Sequence, residues 1–119
     1  MKGGRIMPKE LKFVMLLDCY GELLTEKQRN VMELYYFEDL SLSEIGEPLG
    51  ITRQAILNLI KRTENILQNY ENKLGFARRL EGLRACFNNI TESADELSDD
   101  NINIKNKINS EVSKGLDLL

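Results

Sequence analysis

SLSEIGEPLGITRQAILNLIKR, from Ser41 to Arg62, reads as two short helices joined by a tight turn. Ser41-Leu42-Ser43-Glu44 is a capping box, in which the serine oxygen accepts an N–H three residues on and the glutamate reaches back. Ile45 supplies an apolar residue for the core, and Gly46 is the smallest residue available where the second helix must cross closely. Gly50 tolerates positive φ and suits the end of the first helix. Ile51 then anchors the turn, Thr52 caps the second helix, and Ile56 with Leu59 or Ile60 is expected to be buried. These are the physical demands of a helix-turn-helix. Helical corners that bind no nucleic acid meet the same demands, so the pattern leaves two readings open.

Three cations and no acid lie between Arg53 and Arg62, in a chain of net charge −3. If the corner reads nucleic acid, the contacts come from the first turn and outward face of the helix after Thr52. Arg53 suits guanine O6/N7 and Gln54 suits adenine N6/N7, although either can simply hold phosphate, and Asn58, one turn further on, can reach a base edge. Lys61 and Arg62 are better placed for phosphates, and Thr52 can bond a phosphate beside the helix N-terminus. Leu57 fits poorly, since it is expected to face outward among these polar groups. Glu44 and Glu47 oppose phosphate, and Pro48, which has no N–H, is expected to shorten or distort the first helix. The few cations make a dimer more credible than a single copy, because affinity for DNA is largely counterion release by Lys and Arg.

Working outward, almost every segment reads as helix. Pro8 suits a first helical turn, ELKFVMLLDCYGELL follows as a strongly apolar helix, and Gly21 ends or bends it. Thr25-Glu26-Lys27-Gln28 is a further capping box, opening a helix with Val31, Leu34 and Tyr35 on one side. After Thr52, Ile56, Ile60, Thr63, Leu67, Tyr70 and Leu74 recur at steps of four and three. A second series does the same: Phe76, Leu80, Leu83, Phe87, Ile90, Ala94 and Leu97. At about 100° per residue the two stripes point nearly opposite ways if one helix runs through Gly75. Either the chain turns there, or one long helix packs its halves on different partners. In the acidic and then Asn-rich tail, Ile104, Ile108, Val112, Leu116 and Leu119 mark the apolar face of a last helix, weakened by Gly115.

Composition narrows the function classes. There is no histidine, so His-based triads, zinc–His sites and the usual acid–base group near neutral pH are absent. Cys19 and Cys86 sit in apolar helical segments rather than at metal-ligand spacing, and read as two buried, reduced thiols acting as small hydrophobes. No Gly-rich phosphate loop is present. The expectation is a non-catalytic protein with no cofactor and no metal. No stretch reaches the roughly 18 apolar residues of a membrane span, and the N-terminus lacks signal-peptide character; the expected location is the cytoplasm.

The run LLTEKQRNVMELYYFEDLSLSEIGEPLGITRQAILNLIKRTENILQNYENKL, Leu23 to Leu74, strongly resembles the YlxM-like family of small bacterial helix-turn-helix proteins, with LLTEKQRN, ELYY, EDLSLSEI and TRQA the distinctive pieces. More distantly it is similar to the part of a sigma factor that reads the −35 promoter element. The resemblance implies a regulatory protein that binds DNA or RNA. Through gene neighbourhood it also implies a connection to the signal recognition particle pathway, with the particle's protein as a partner. This sequence departs from the family pattern at Pro48, where glutamate is typical, at Leu57-Asn58, where Tyr-Asp is typical, and at Gly75. The expected architecture is all-α: a sigma-region-four-like helix-turn-helix domain over residues 1–74 and a helical extension over 75–119. In the extension, Phe76, Leu80, Leu83, Phe87, Ile90 and Leu97 form the expected dimer or partner interface. The alternative is a protein-interaction adaptor of the same pathway that uses this stripe and binds no DNA.

Overall fold

The computed structural model describes residues 11–119, and the placement of Pro8 in a first helical turn lies outside them. Helix α1 spans Leu11–Tyr20 and passes into a 3₁₀ turn at Gly21–Leu23; α2 spans Glu26–Tyr36, α3 Leu42–Leu49 and α4 Arg53–Leu74. Helix α5 spans Phe76–Asp95, and a 3₁₀ turn at Asp99–Asn101 leads into α6, Ile102–Asp117. No strand occurs among the described residues. The chain divides into two compact units, one ending at Ala77 and the other running from Arg78 to Leu119.

In the first unit, α1, α2 and α3 all pack on α4. The core collects Phe13, Leu16, Leu17 and Tyr20 from α1, Val31 and Met32 from α2, Ile45 from α3, and Ile56, Ile60 and Leu67 from α4. Both capping boxes form. Thr25 Oγ1 accepts the Gln28 N–H at 3.2 Å, and the Gln28 side chain accepts the Thr25 N–H at 3.0 Å. Ser41 and Glu44 repeat the exchange at 3.1 and 2.9 Å. Each box satisfies two donors that a helix start otherwise leaves to water. Thr63, in the middle of the α4 stripe, is fully buried and donates its hydroxyl to the Leu59 carbonyl at 2.7 Å. That bond removes the cost of burying a polar group among aliphatic ones.

The expected distortion at Pro48 does not occur. Helix α3 continues through Pro48 to Leu49, and the turn stays at Gly50. The end of the helix is closed instead by three bonds that do not involve the proline nitrogen. Gly50 N–H donates to both Glu47 O and Gly46 O, and Ile51 N–H donates to Gly46 O at 2.9 Å. With the last turn held this way, the bond that proline cannot make is expendable.

Gly75 breaks the chain. Its φ of +65° ends α4, and α5 starts at the next residue. The break is fixed by a residue distant in sequence. Tyr20, only 2% exposed, donates its hydroxyl to Glu71 Oε1 at 2.6 Å and accepts the Phe76 N–H at 3.1 Å. Glu71 Oε1 also accepts the Ala77 N–H at 3.1 Å. A carboxylate and a phenol thus satisfy the first donors of α5, where negative charge is favoured.

Burial, and then the bond to Glu71, push the Tyr20 phenol above its ordinary 10.0. A raised value in the folded chain means that this contribution to stability is complete below pH 10 and is lost as pH climbs through the folded value. Tyr20→Phe leaves the Phe76 N–H unpaired and is expected to cost about 1–3 kcal/mol near neutral pH. Thermal melts from pH 8 to 11 should show the variant losing less stability than the wild type above pH 10. Equal alkaline slopes would remove Tyr20 from the account. Cys19, raised from 9.0 chiefly by burial, contributes a slope in both proteins; it is half-buried, and Cys86, expected to be buried like it, is exposed.

In the second unit α6 folds back along α5. Asn109 Nδ2 donates to Asp95 Oδ1 at 3.2 Å, and Lys105 Nζ lies 4.0 Å from the same oxygen. Gly115 does not weaken α6; it makes room in it. A Cβ there would lie 2.8 Å from Phe87 Cζ, so the ring occupies the space that the missing side chain leaves. Of the expected tail face, Val112 is buried, Ile108, Leu116 and Leu119 are half-buried, and Ile104 is 56% exposed.

Candidate nucleic-acid interface

The helix-turn-helix is built on two glycines with different tasks. A Cβ on Gly46 would stand 2.2 Å from the Ile51 carbonyl oxygen and 3.3 Å from Ile56 Cγ1. The closest approach is therefore made by the turn's own backbone, with the α4 side chain next. Gly50 has open space around it, but its φ is +68°, a conformation that a Cβ disfavours. Ile45 is 1% exposed and Ile56 fully buried, so both helices are clamped at the crossing.

This clamp sets which side of α4 meets water. The buried stripe is Ile56, Ile60, Thr63 and Leu67. At about 100° per residue, Gln54, Asn58 and Lys61 point away from it. Arg53 and Arg62, about half a turn apart around the axis, fall on opposite edges of the same face. All five side chains are exposed. Among the described residues, no ion pair or hydrogen bond engages the side chains of Arg53, Lys61 and Arg62. Thr52 caps the helix: its Oγ1 accepts the Ala55 N–H at 3.1 Å, which leaves its own hydroxyl hydrogen to donate. Leu57 is half-buried rather than fully outward.

The sequence reading missed a bond on this face. Gln54 Nε2 donates to Asn58 Oδ1 at 3.1 Å, linking two exposed amides one turn apart. The signal was available, since amide side chains four residues apart on a helix are neighbours. Elsewhere on this unit acids gather at one place. Glu26, Glu33 and Glu38 rim a depression of about 840 Å³ over Val31, Leu34 and Leu49. Lys27 lines it too, so three acids stand against one cation; that balance disfavours phosphate, and the α4 face stands out by contrast.

In the second unit the apolar stripe separates into two sets. Leu80 and Phe87 are half-buried and Ala94 is buried, whereas Leu83, Ile90 and Leu97, spaced by sevens, are 47, 44 and 36% exposed. Phe76, seven residues before Leu83, belongs to the first unit and is 48% exposed. Ile90, Ala94, Leu97 and Ile108 line an open groove of about 400 Å³. No helix among the described residues is long and apolar enough to cross a membrane.

Crossing helices clamped at Gly46, with an unpaired cationic edge beyond the turn, define a protein of the helix-turn-helix class. A family model described as "Putative helix-turn-helix protein, YlxM / p13 like" (UPF0122) matches residues 7–110. The chain belongs to this UPF0122 family. It is similar to a UPF0122 protein of Clostridium kluyveri, 40% identical over 111 residues, covering 92% of this chain and all of that one. A UPF0122 protein of Clostridium acetobutylicum is 59% identical over 68 residues, 57% of this chain and 59% of the relative. One from Geobacillus kaustophilus is 47% identical over 79 residues, 66% and 72% of the two chains. The likeness therefore runs past Leu74 into the extension, further than the distinctive motifs suggest.

Proposed function

We propose that this protein is a regulatory DNA-binding protein that lays the N-terminal half of α4 in a major groove. The observation that carries the reading is the exposure of Arg53, Lys61 and Arg62 on one face with no acid engaging them among the described residues. Arg53 and Arg62, on opposite edges, suit the phosphate rows on the two sides of a groove, while Gln54 and Asn58 between them suit its floor. Thr52 adds a hydroxyl donor beside the helix N-terminus. The direct test is fluorescence anisotropy with a mixed-sequence duplex. Each phosphate neutralised gives about −0.9 in the slope of log K against log salt, so the three cations of one copy give roughly −2.7. Binding that ignores salt, or none at low salt, would discard the proposal.

A second copy is part of the reading. Leu83, Ile90 and Leu97 repeat at heptad spacing on the outside of the second unit, where two copies can bury them against each other. Light scattering is expected to give twice the 13.7 kDa chain mass. Leu83→Asp with Ile90→Asp should give a folded monomer, since both positions are already open to water within one chain; an unmutated monomer would end this part of the proposal. The rival reading is an adaptor that seats a partner, such as the protein of the signal recognition particle, on the groove of Ile90, Leu97 and Ile108. Absence of DNA binding at low salt, with the dimer also absent, favours the adaptor.

A further inference from the structure

We infer that the hydrogen-bonded pair Gln54–Asn58 is an adenine-reading element, selecting an A·T pair at one position of the bound duplex. The inference rests on the DNA-binding reading above and adds to it the base that is read. In the major groove adenine offers an acceptor, N7, beside a donor, the N6 amino group, and one amide side chain complements both at once. Asn58 retains both N–H hydrogens and one lone pair on Oδ1 after accepting the 3.1 Å bond from Gln54. If both amides rotate by half a turn the bond reverses. Asn58 then keeps one N–H and both lone pairs, so it still carries one donor and one acceptor.

Guanine offers acceptors at both N7 and O6 and has no donor for the lone pair that remains on the Asn58 oxygen. The cations lie elsewhere on the face. Arg53 and Arg62 fall on its edges, and Lys61 is about 4.5 Å further along the axis than Asn58.

Gln54 is the positioning member of the pair. An isolated asparagine on an exposed turn must lose side-chain freedom on binding, and the bond from Gln54 removes part of that loss beforehand. The bond also ties the plane of the Asn58 amide to the helix one turn earlier. Exposure of both residues keeps the pair accessible to a base edge.

The test is selection from a randomised duplex pool by the whole chain at low salt, followed by sequencing of the bound fraction. The wild type should enrich adenine roughly tenfold at one position per half-site, the size expected of one bidentate amide–base contact. Asn58→Ala should flatten that position and lower affinity for the selected duplex roughly tenfold, to that for duplexes without the adenine. Gln54→Ala should reduce the enrichment several-fold without moving it. Melting curves of both variants check that α4 is intact. Salt-dependent binding with no enriched adenine, or enrichment that survives Asn58→Ala, overturns the inference and leaves the DNA reading standing. No binding at any salt overturns both.

Discussion

Gly46→Ala is expected to lower the melting temperature by roughly 12–24 °C, the shift that about 3 kcal/mol produces in a domain of this size. The added methyl would stand 2.2 Å from the Ile51 carbonyl oxygen, far inside contact distance. That oxygen belongs to backbone, and the same turn is pinned by the Ile51 N–H bonded to the Gly46 carbonyl at 2.9 Å. Relief comes only by opening the turn or by parting α3 from α4, which uncovers Ile45 and Ile56. Gly50→Ala makes the internal comparison. Nothing lies within 4 Å of its added methyl, so the cost is conformational alone, about 1 kcal/mol at φ +68°. Thermal melts by circular dichroism should rank the two variants in that order. A Gly46→Ala protein as stable as the wild type would mean that the crossing is not as tight as described.

The second large effect concerns binding. Arg53→Ala combined with Lys61→Ala removes two exposed, unengaged cations and touches no buried atom. Charge-assisted contacts of about 1 kcal/mol each give roughly 30-fold per copy for the pair. A dimer with both copies engaged would lose on the order of a thousandfold and fall below detection at physiological salt. The salt slope should shrink by about two units per copy, because two fewer phosphates are neutralised. The melting temperature should barely move. A variant that binds as tightly as the wild type, with the same slope, would take α4 out of the interface.

What the sequence made legible was local chemistry. The Thr25 and Ser41 boxes each close within four residues, and Gly50 marks its turn by being the residue that tolerates positive φ. Gly46 was readable as a place where bulk is excluded, although the excluding atom proved to be the Ile51 carbonyl. The state of Gly75 was illegible for a physical reason. A glycine inside a helix costs only about 1 kcal/mol relative to alanine, so its neighbours could not decide between a break and a continuation. Tyr20 favours the break, from 51 residues away along the chain to Glu71.

Met32 was missed because α2 touches α1, α3 and α4 and so buries more than one side. Gly115 looked like a flaw in a helix until Phe87 was seen beside it. On α4, the sequence named Arg53, Gln54, Asn58, Lys61 and Arg62, all of them exposed, but periodicity alone does not reveal that Gln54 and Asn58 are bonded to each other.

The joint at Gly75 carries an evolutionary corollary. In one continuous helix, an inserted or deleted residue would rotate everything downstream by about 100° and spoil both stripes together. With a left-handed residue between them, the two registers are kept separately. A lineage can lengthen or reshape its appendage without re-aiming the helix-turn-helix.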